Sequence, residues 1–302
     1  MSYSRSGQIE LFRLPPANKV VNVASVSQRS PFRYPGGKTW LVPHVESWMA
    51  SLASKPAVFI EPFAGGAIVG LTAAFEKLAD HVILVELDEQ VAAVWKAILG
   101  RDGEWLARRI LDFELTIEHV KAELACDSCS SKEPALREKA FRTILKNRTF
   151  HGGILAPGSG LIKYGENGKG LGSRWYPETL ARRILDIVRI KERIEIIEGD
   201  GIAIIEKYAK RHDVAFFIDP PYTAAGKRAG KRLYTHYTLD HERLFAAAAR
   251  LAGPFLITYD NAPELVALAA KHGLQSRTVP MKNTHHARMD ELAIGCDLSW
   301  LD

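Results

Sequence analysis

The sequence predicts a doubly wound α/β fold, in which helices cover both faces of a mainly parallel sheet. Short apolar runs alternate along the chain with segments of helical pattern. Uniformly apolar runs are typical of buried parallel strands, and their alternation with helices indicates successive strand–helix units. Two late runs follow each other without a helix between them, which predicts an antiparallel hairpin at the edge of the sheet.

Five apolar runs are predicted to be the parallel strands. They are residues 58–60, 81–87, 194–197, 214–218 and 255–258. The helical patterns between and after them predict helices over residues 69–78, 89–99, 202–210, 240–252 and 263–271. The terminal hairpin is predicted to pair residues 276–280 with residues 292–298.

The alternation is interrupted over residues 101–190, which we predict to be a helical insertion between the second and third strands. Its helical parts are residues 104–124 and 136–146, separated by a polar loop at residues 126–132. An open, glycine-rich and basic region follows at residues 149–173. Residues 1–30 are predicted to be a flexible leader. The main domain is therefore formed by residues 31–100 and 191–302.

Composition limits the class of protein. The chain has 302 residues, of which 47% are hydrophobic and 25% are charged, as in ordinary folded soluble proteins. No apolar run reaches the roughly 18 residues that span a bilayer, so no membrane association is expected. Three cysteines are too few for a disulfide framework and fit a reducing compartment, which predicts a cytoplasmic location.

Basic charge is concentrated in two segments of the chain. The net charge is +5, from 40 basic and 35 acidic residues. Residues 137–195 contain 13 basic and 6 acidic residues, and residues 223–238 contain 4 basic residues and no acidic ones. Basic segments on an otherwise acidic body suit a phosphate backbone, so the distribution favours a nucleic-acid partner.

The sequence Asp-Pro-Pro-Tyr at residues 219–222 directly follows the predicted strand 214–218. Ligands of open parallel sheets bind beyond the carboxyl ends of the strands, where this motif lies. Two successive prolines stiffen the backbone and remove two N–H donors, which leaves carbonyl oxygens free to face a ligand. The motif therefore offers a carboxylate and a carbonyl as acceptors for an amino group, and an aromatic ring on which its heterocycle can stack.

Further candidate residues lie at the ends of the other strands. A turn at residues 61–66, Glu-Pro-Phe-Ala-Gly-Gly, follows the first strand, and its small residues let a ligand approach the backbone. Glu86 ends the second strand, where a carboxylate suits a ribose diol. Asp88 is the competing candidate for this ribose contact, although the role of helix N-cap fits Asp88 better than Glu86. Asp200, after the third strand, is a candidate acceptor for an exocyclic adenine amine.

These motifs, taken in order, resemble the D12 class (Dam-like) of N6-adenine DNA methyltransferases. The order begins with Tyr-Pro-Gly-Gly-Lys at residues 34–38, continues through the glycine turn, the acidic strand end and the helical insertion, and reaches Gly-Asp at residues 199–200. Asp-Pro-Pro-Tyr and then Tyr-Thr-Leu-Asp-His at residues 237–241 complete it. The resemblance covers about residues 31–300. It implies a Rossmann-like, S-adenosylmethionine-dependent methyltransferase sheet.

The resemblance also implies roles for individual residues. Lys38 is expected to meet the carboxylate of S-adenosylmethionine, Glu86 its ribose and Asp200 its adenine. The full set expected to bind this cofactor is Tyr34, Lys38, Phe63, Ala64, Gly65, Glu86, Asp200 and Asp219. The residues expected to hold a flipped target base are Asp219, Pro220, Pro221 and Tyr222. The residues expected to contact DNA are Arg33, Asn147, Arg148, Lys227, Arg228, Lys231 and Arg232.

The implied reaction transfers a methyl group to the exocyclic N6 of an adenine in double-stranded DNA. The base cannot be reached inside the duplex and must be flipped out. The same motif can serve the N4 amino group of cytosine, and a catalytically silent DNA-binding module is a further alternative. Methylation at cytosine C5 requires a cysteine nucleophile, which usually follows a proline in that family. None of the three cysteines follows a proline, so this reaction is rejected. Cys126 and Cys129 lack the second ligand pair of a structural zinc site, so no metal is expected.

The insertion is expected to read the DNA sequence. Asn147 and Arg148 match an Asn-Arg pair in the insertion of the family, but Thr-Phe-His-Gly-Gly follows at residues 149–153, where Dam has another pattern. The Dam target GATC is therefore not implied. The basic loop at residues 223–238 is expected to clamp phosphates and to be mobile without DNA. A cognate restriction enzyme is left open as a partner.

Overall fold

The computed structural model describes residues 20–34, 36–129, 135–165, 168–221, 238–282 and 288–302. The strands within these ranges form one seven-stranded sheet. They are β1 (Val58–Glu61), β2 (His81–Glu86), β3 (Ile194–Glu198), β4 (Val214–Ile218), β5 (Phe255–Asp260), β6 (Gln275–Lys282) and β7 (Arg288–Gly295).

The strand order across the sheet is β3-β2-β1-β4-β5-β7-β6. The first five strands in this order are parallel, and β7 runs antiparallel to both β5 and β6. The predicted fold class, with its terminal antiparallel hairpin, is confirmed. The chain leaves β1 toward β2 and β3 and then returns to β4 on the other side of β1. The carboxyl ends of β1 and β4 therefore form the switch point at which such sheets bind ligands.

The helices cover both faces of the sheet. They are α1 (Val42–Ser51), α2 (Ile68–Phe75), α3 (Glu89–Leu99), α4 (Gly103–Asp112), α5 (Ile117–Cys129), α6 (Leu136–Thr149), α7 (Pro177–Val188), α8 (Gly201–Tyr208), α9 (His241–Ala248) and α10 (Pro263–Lys271). None of these helices is both long enough and apolar enough to cross a membrane.

Two hydrophobic cores lie on opposite faces of the sheet. Successive side chains of a strand point to opposite faces, so Phe59 belongs to one core and Ile60 to the other. The first core contains Trp95 of α3 and Leu71 of α2, and the second contains Phe245 of α9. Burial on both faces explains why these strands read as continuous apolar runs.

The predicted insertion packs into the first of these cores. Ile110 of α4, Phe141 of α6 and Ile184 of α7 are fully buried there together with Trp95. Trp175 is also buried in it, with its ring 6.0 Å from that of Phe113. The boundaries of the predicted domains stay a prediction, but within the described residues the insertion's helices share the core of the sheet.

Several predicted element boundaries were wrong. The pattern at residues 104–124 is two helices, because Phe113 is extended and the Thr116 hydroxyl oxygen accepts from the N–H of His119 to begin α5. The loop predicted at residues 126–132 begins too early, since α5 continues to Cys129. Helix α9 ends at Ala248, and Arg250 and Leu251 then make tighter turn hydrogen bonds that do not continue an α-helix.

Candidate functional site

A cleft of about 1710 Å³ lies at the carboxyl ends of β1 and β4. Twelve of the predicted site residues line this one cleft. They are Arg33, Tyr34, Lys38, Phe63, Ala64, Gly65, Glu86, Arg148, Asp200, Asp219, Pro220 and Pro221. The sheet topology therefore brings together motifs that are far apart in the sequence.

Other predicted residues fall outside the described part of the chain. They are Tyr222, Lys227, Arg228, Lys231 and Arg232. The prediction that the loop at residues 223–238 is mobile without DNA concerns the same undescribed stretch, apart from Thr238.

The glycine turn after β1 is held in a conformation that requires small residues. Gly65 has φ +45°, and a Cβ on it would lie 2.7 Å from the ring of Tyr34. The N–H of Gly65 donates to Glu86 Oε2 at 2.8 Å, and its carbonyl accepts from Trp95 Nε1 at 3.0 Å. The turn is thus fixed from both sides, by the loop that carries Tyr34 and by the end of β2.

We expect Gly65→Ala to weaken binding of S-adenosylmethionine at least about tenfold, because the new methyl group must displace Tyr34 from the cleft wall. The strained φ also costs about 1–3 kcal/mol of unfolding free energy. Gly273→Ala is the matched control, since Gly273 has φ +71° but a Cβ on it would meet no atom within 4 Å. Calorimetric titration and thermal unfolding of both variants measure the difference. Equal cofactor affinity in the two variants would contradict this account of the turn.

Glu86 is buried at the end of β2 and is bound to the turn. Its Oε1 accepts from the N–H of Asp88 and its Oε2 from that of Gly65, both at 2.8 Å. Burial raises the pKa of Glu86 to about 7, although these backbone donors lower it. Each carboxylate oxygen keeps a further lone pair for a ligand hydroxyl. Asp88 caps α3 by accepting from the N–H of Gln90, as a helix N-cap does.

Asp200 also lines the cleft but has structural partners. Its Oδ1 accepts from the N–H of Ile202 at 2.9 Å and caps α8. Its Oδ2 lies 3.5 Å from Arg243 Nη1. The side chain is 46% exposed, so it reaches the cleft while it holds the start of the helix.

Lys38, which is buried, forms an ion pair at the switch point with Asp219, whose side chain is 20% exposed. Lys38 Nζ lies 3.0 Å from Asp219 Oδ1 and 3.4 Å from Glu291 Oε2, and it donates to the carbonyl of Gly36 at 3.0 Å. Burial lowers the pKa of Lys38, but the charges of the two carboxylates outweigh it and leave the pKa above its ordinary value. The Thr258 hydroxyl donates to Asp219 Oδ1 at 2.9 Å. Asp219 is therefore held from two sides.

The predicted contact between Lys38 and the carboxylate of S-adenosylmethionine stays a prediction. An ammonium group has three donors, and here all three have acceptors within the protein. Within the protein, Lys38 is a partner of Asp219. The sequence motif did not predict this pairing, because it depends on a fold that brings residue 38 next to residue 219.

Glu291 and Thr258 were missed by the sequence analysis. Glu291 lies on β7 opposite Asp260 of β5 and is only 8% exposed. Burial raises its pKa to about 7. The charges of Asp219 and Asp260 also raise this pKa, and the charge of Lys38 lowers it. A signal for Glu291 existed, since it occupies an inward position two residues before the buried Ala293. Thr258 was hidden inside a strand that reads as apolar.

We expect Glu291→Gln to gain stability relative to the wild type as the pH rises from about 5 to 8. The folded-state pKa of Glu291 is raised, so the folded protein binds its proton more tightly and loses stability when that proton leaves. The variant lacks this loss, which amounts to at most about 3 kcal/mol. Urea unfolding of both proteins across this range measures the difference. A difference that stays constant with pH would contradict the assigned environment.

Asn147 holds the loop at residues 32–38 against the insertion. It is fully buried, its Oδ1 accepts from the N–H of Arg33 at 2.9 Å, and its Nδ2 donates to the carbonyls of Arg33 and Gly153. The structure does not support the predicted direct DNA contact of Asn147, because its side chain is enclosed and bonded to backbone. Arg148, the next residue, does line the cleft.

The sheet topology and the cleft at its switch point define a Rossmann-like α/β protein. Residues 34–131 match the family described as D12 class N6 adenine-specific DNA methyltransferase. The resemblance inferred from the motifs is therefore confirmed over this part of the chain, and the match supports a methyltransferase enzyme. No curated protein matches the chain.

Several solved structures share a distant likeness with the chain. The rRNA methyltransferase aviRa from Streptomyces viridochromogenes is 11% identical, with 93% of this chain and 88% of that one covered and a TM-score of 0.36. PH1948 from Pyrococcus horikoshii, assigned provisionally as an RNA methyltransferase, is 10% identical with coverages of 90% and 92% and a TM-score of 0.40. At these TM-scores the likeness does not bear on function.

Proposed function

We propose that this protein transfers a methyl group from S-adenosylmethionine to the N6 amino group of an adenine that is flipped out of duplex DNA. The observation that carries the proposal is the fixed carboxylate of Asp219 at the switch point. It lies in the same cleft as the glycine turn and the buried Glu86. Methyl transfer as the reaction class, and DNA adenine as its target, follow the matched family. The proposed location is therefore the cytoplasm, in association with DNA.

The residues of the cleft fit the proposed cofactor. Glu86 offers acceptor oxygens at the end of β2 for the two ribose hydroxyls, and Asp200 offers one to the adenine amine. Tyr34 and the turn at residues 63–65 line the cleft, and Gly65 has no room for a side chain, because a Cβ on it would lie 2.7 Å from the Tyr34 ring. When bound, S-adenosylmethionine supplies a methyl group that is already activated by its sulfonium.

Asp219 is the residue that acts on the target amine. The lone pair of an aromatic amine is delocalised into the ring, so the nitrogen is a weak nucleophile. A carboxylate and the neighbouring Pro220 carbonyl accept hydrogen bonds from the two N–H groups, which favours a tetrahedral nitrogen. Such fixed acceptors stabilise developing charge without reorganising. Thr258 and Lys38 keep the Asp219 carboxylate in place during this step.

Tyr222 is proposed to stack on the flipped base. Stacking of a base on an aromatic side chain contributes about 1–3 kcal/mol in proteins that bind single strands. Flipping itself costs a few kcal/mol, so stacking and the two hydrogen bonds together offset that cost. Pro221 stiffens the backbone that follows the Pro220 carbonyl.

Methyl transfer from labelled S-adenosylmethionine to unmethylated genomic DNA tests the proposal. The product is digested to nucleosides, and N6-methyladenine is the expected result. N4-methylcytosine would overturn the adenine assignment. DNA binding without any transfer would favour a catalytically silent module. Transfer to total RNA but not to DNA, measured in a parallel reaction, would overturn the substrate class.

A further inference from the structure

Four arginines from the loop at residues 32–38 and from the insertion line the cleft. They are Arg33, Arg148, Arg174 and Arg183. Arg148 is on α6, Arg174 precedes α7, and Arg183 is on α7, so the insertion supplies three of them. Burial lowers the pKa of Arg148 to about 9, and the positive charges of Arg183, Arg33 and Arg174 contribute to this shift. Each of these three side chains is therefore close enough to Arg148 to repel its charge.

Arg148 and Arg183 have unsatisfied hydrogen-bonding groups. Arg148 donates one bond to the carbonyl of Pro31, and Arg183 Nη1 donates to that of Ser30 at 2.9 Å. The Nε atoms of both residues are buried and have no hydrogen-bond partner. Within the described ranges, neither guanidinium forms an ion pair with a carboxylate. Arg148 itself is only 6% exposed.

A buried guanidinium without a counter-charge is costly, and two together are more so. A cost of this kind is offset when an anion enters the site. The planar fork of arginine matches a phosphate with two parallel hydrogen bonds, which makes arginine the preferred residue for such a ligand. A DNA strand carries one phosphate for about every 3.4 Å along the helix axis. Several arginines therefore suit a DNA strand better than they suit a ligand with a single carboxylate.

We infer that Arg148 and Arg183, with Arg33 and Arg174 beside them, bind backbone phosphates of the DNA substrate. The inference rests on the proposed function and names part of its DNA interface. The arginines and Asp219 line the same cleft, so the proposal places the phosphates and the target base of the substrate in one cleft. Arg174 and Arg183 were not among the predicted DNA contacts, and they give the insertion a role in positioning the strand.

The test compares Arg183→Gln with Arg189→Gln. Both substitutions remove one positive charge from α7 or its end, but Arg189 is 74% exposed and pairs with Asp186. Binding of a labelled duplex of mixed sequence is measured by fluorescence anisotropy at increasing salt. We expect Arg183→Gln to bind roughly tenfold more weakly, and its salt slope to fall by about 0.9 for each phosphate that is no longer neutralised. Arg189→Gln should match the wild type.

Arg174→Gln provides a second variant, since it removes another member of the same cluster and should also lower the slope. The carboxylate of S-adenosylmethionine is the other candidate anion for this site, and calorimetry with the cofactor tests it. Unchanged cofactor affinity in Arg183→Gln supports the phosphate site. Weaker cofactor binding with an unchanged salt slope would assign the site to the cofactor's carboxylate and overturn the inference.

Two results separate this inference from the proposed function. In the first result, the wild type binds DNA with the full salt slope, this slope falls in Arg183→Gln, and the wild type transfers no methyl group. This result would contradict the proposed function alone. Wild-type methylation of adenine together with identical salt slopes in Arg183→Gln, Arg174→Gln and Arg189→Gln would contradict the phosphate site alone.

Discussion

Asp219→Ala is expected to reduce methyl transfer roughly a thousandfold while the protein stays folded. In the proposed mechanism this carboxylate is the charged acceptor for the target amine, and it directly follows β4 at the switch point. Fold loss is not expected, because Lys38 keeps Glu291 as a partner and the Thr258 hydroxyl can turn elsewhere. Transfer of labelled methyl groups to DNA, measured under single-turnover conditions, gives the effect.

Asp219→Asn separates the charge of this residue from its shape. Asparagine keeps one acceptor oxygen for Lys38 and Thr258 but presents an N–H₂ group where the carboxylate has its second oxygen. We expect transfer to fall roughly a hundredfold, between the wild type and the alanine variant. This intermediate value would indicate that both the position and the negative charge of Asp219 matter.

Asp213→Ala is the matched control for Asp219→Ala. Asp213 precedes the same strand, β4, at its opposite end, and pairs with Arg211 in solvent. Its loss should leave transfer within about twofold of the wild type, since exposed ion pairs contribute about 0–1 kcal/mol. Near-normal transfer in Asp219→Ala, with Asp213→Ala also normal, would remove Asp219 from the proposed mechanism.

The fold was predictable to the extent that it depends on periodicity. The runs at β1, β2 and β4 are apolar on both faces, and this signal survives without knowledge of their neighbours. Helix ends were less predictable. One helix ends at Phe113, which packs against Phe141, and the next begins with the hydroxyl of Thr116. Neither boundary is visible in the periodicity.

The candidate site was predictable in its membership but not in its contacts. Motif order identified Lys38, Glu86 and Asp219, since each stands in a short pattern with its own chemistry. Glu291 stands in no such pattern, and its place beside Lys38 depends on β7 being inserted between β5 and β6. Likewise Asn147 was expected at the DNA, whereas its amide serves the backbone of a loop 114 residues away in sequence. Partners of this kind come from topology.

Lys38→Met is expected to lower the free energy of unfolding by about 3–5 kcal/mol, because it leaves buried carboxylates without their counter-charge. Lys38 is almost completely buried between Asp219 and Glu291. Lys96→Met is the matched control, since Lys96 and Glu198 form an exposed ion pair whose side chains are 41% and 40% accessible. That variant should lose at most about 1 kcal/mol. Urea unfolding monitored by circular dichroism measures both.

The double variant Lys38→Met/Glu291→Gln should recover part of this loss. Glutamine removes one of the two negative charges that face each other once the lysine is gone, so a coupling of about 0.5–3 kcal/mol is expected. The loss in Lys38→Met should also grow as the pH rises through 7, because Glu291 then gives up its proton beside Asp219. Strictly additive single-variant effects would contradict the three-residue contact.

Kinetics of the same variants decide between two roles of Lys38. If Lys38 positions Asp219, Lys38→Met should lower kcat by roughly a hundredfold while the Kd of S-adenosylmethionine stays near the wild-type value. Restored stability in the double variant should then leave kcat low, because no ammonium holds Asp219 Oδ1. A large rise in the cofactor Kd with little change in kcat would instead return Lys38 to the role that the family motif implies, as a ligand of the cofactor's carboxylate.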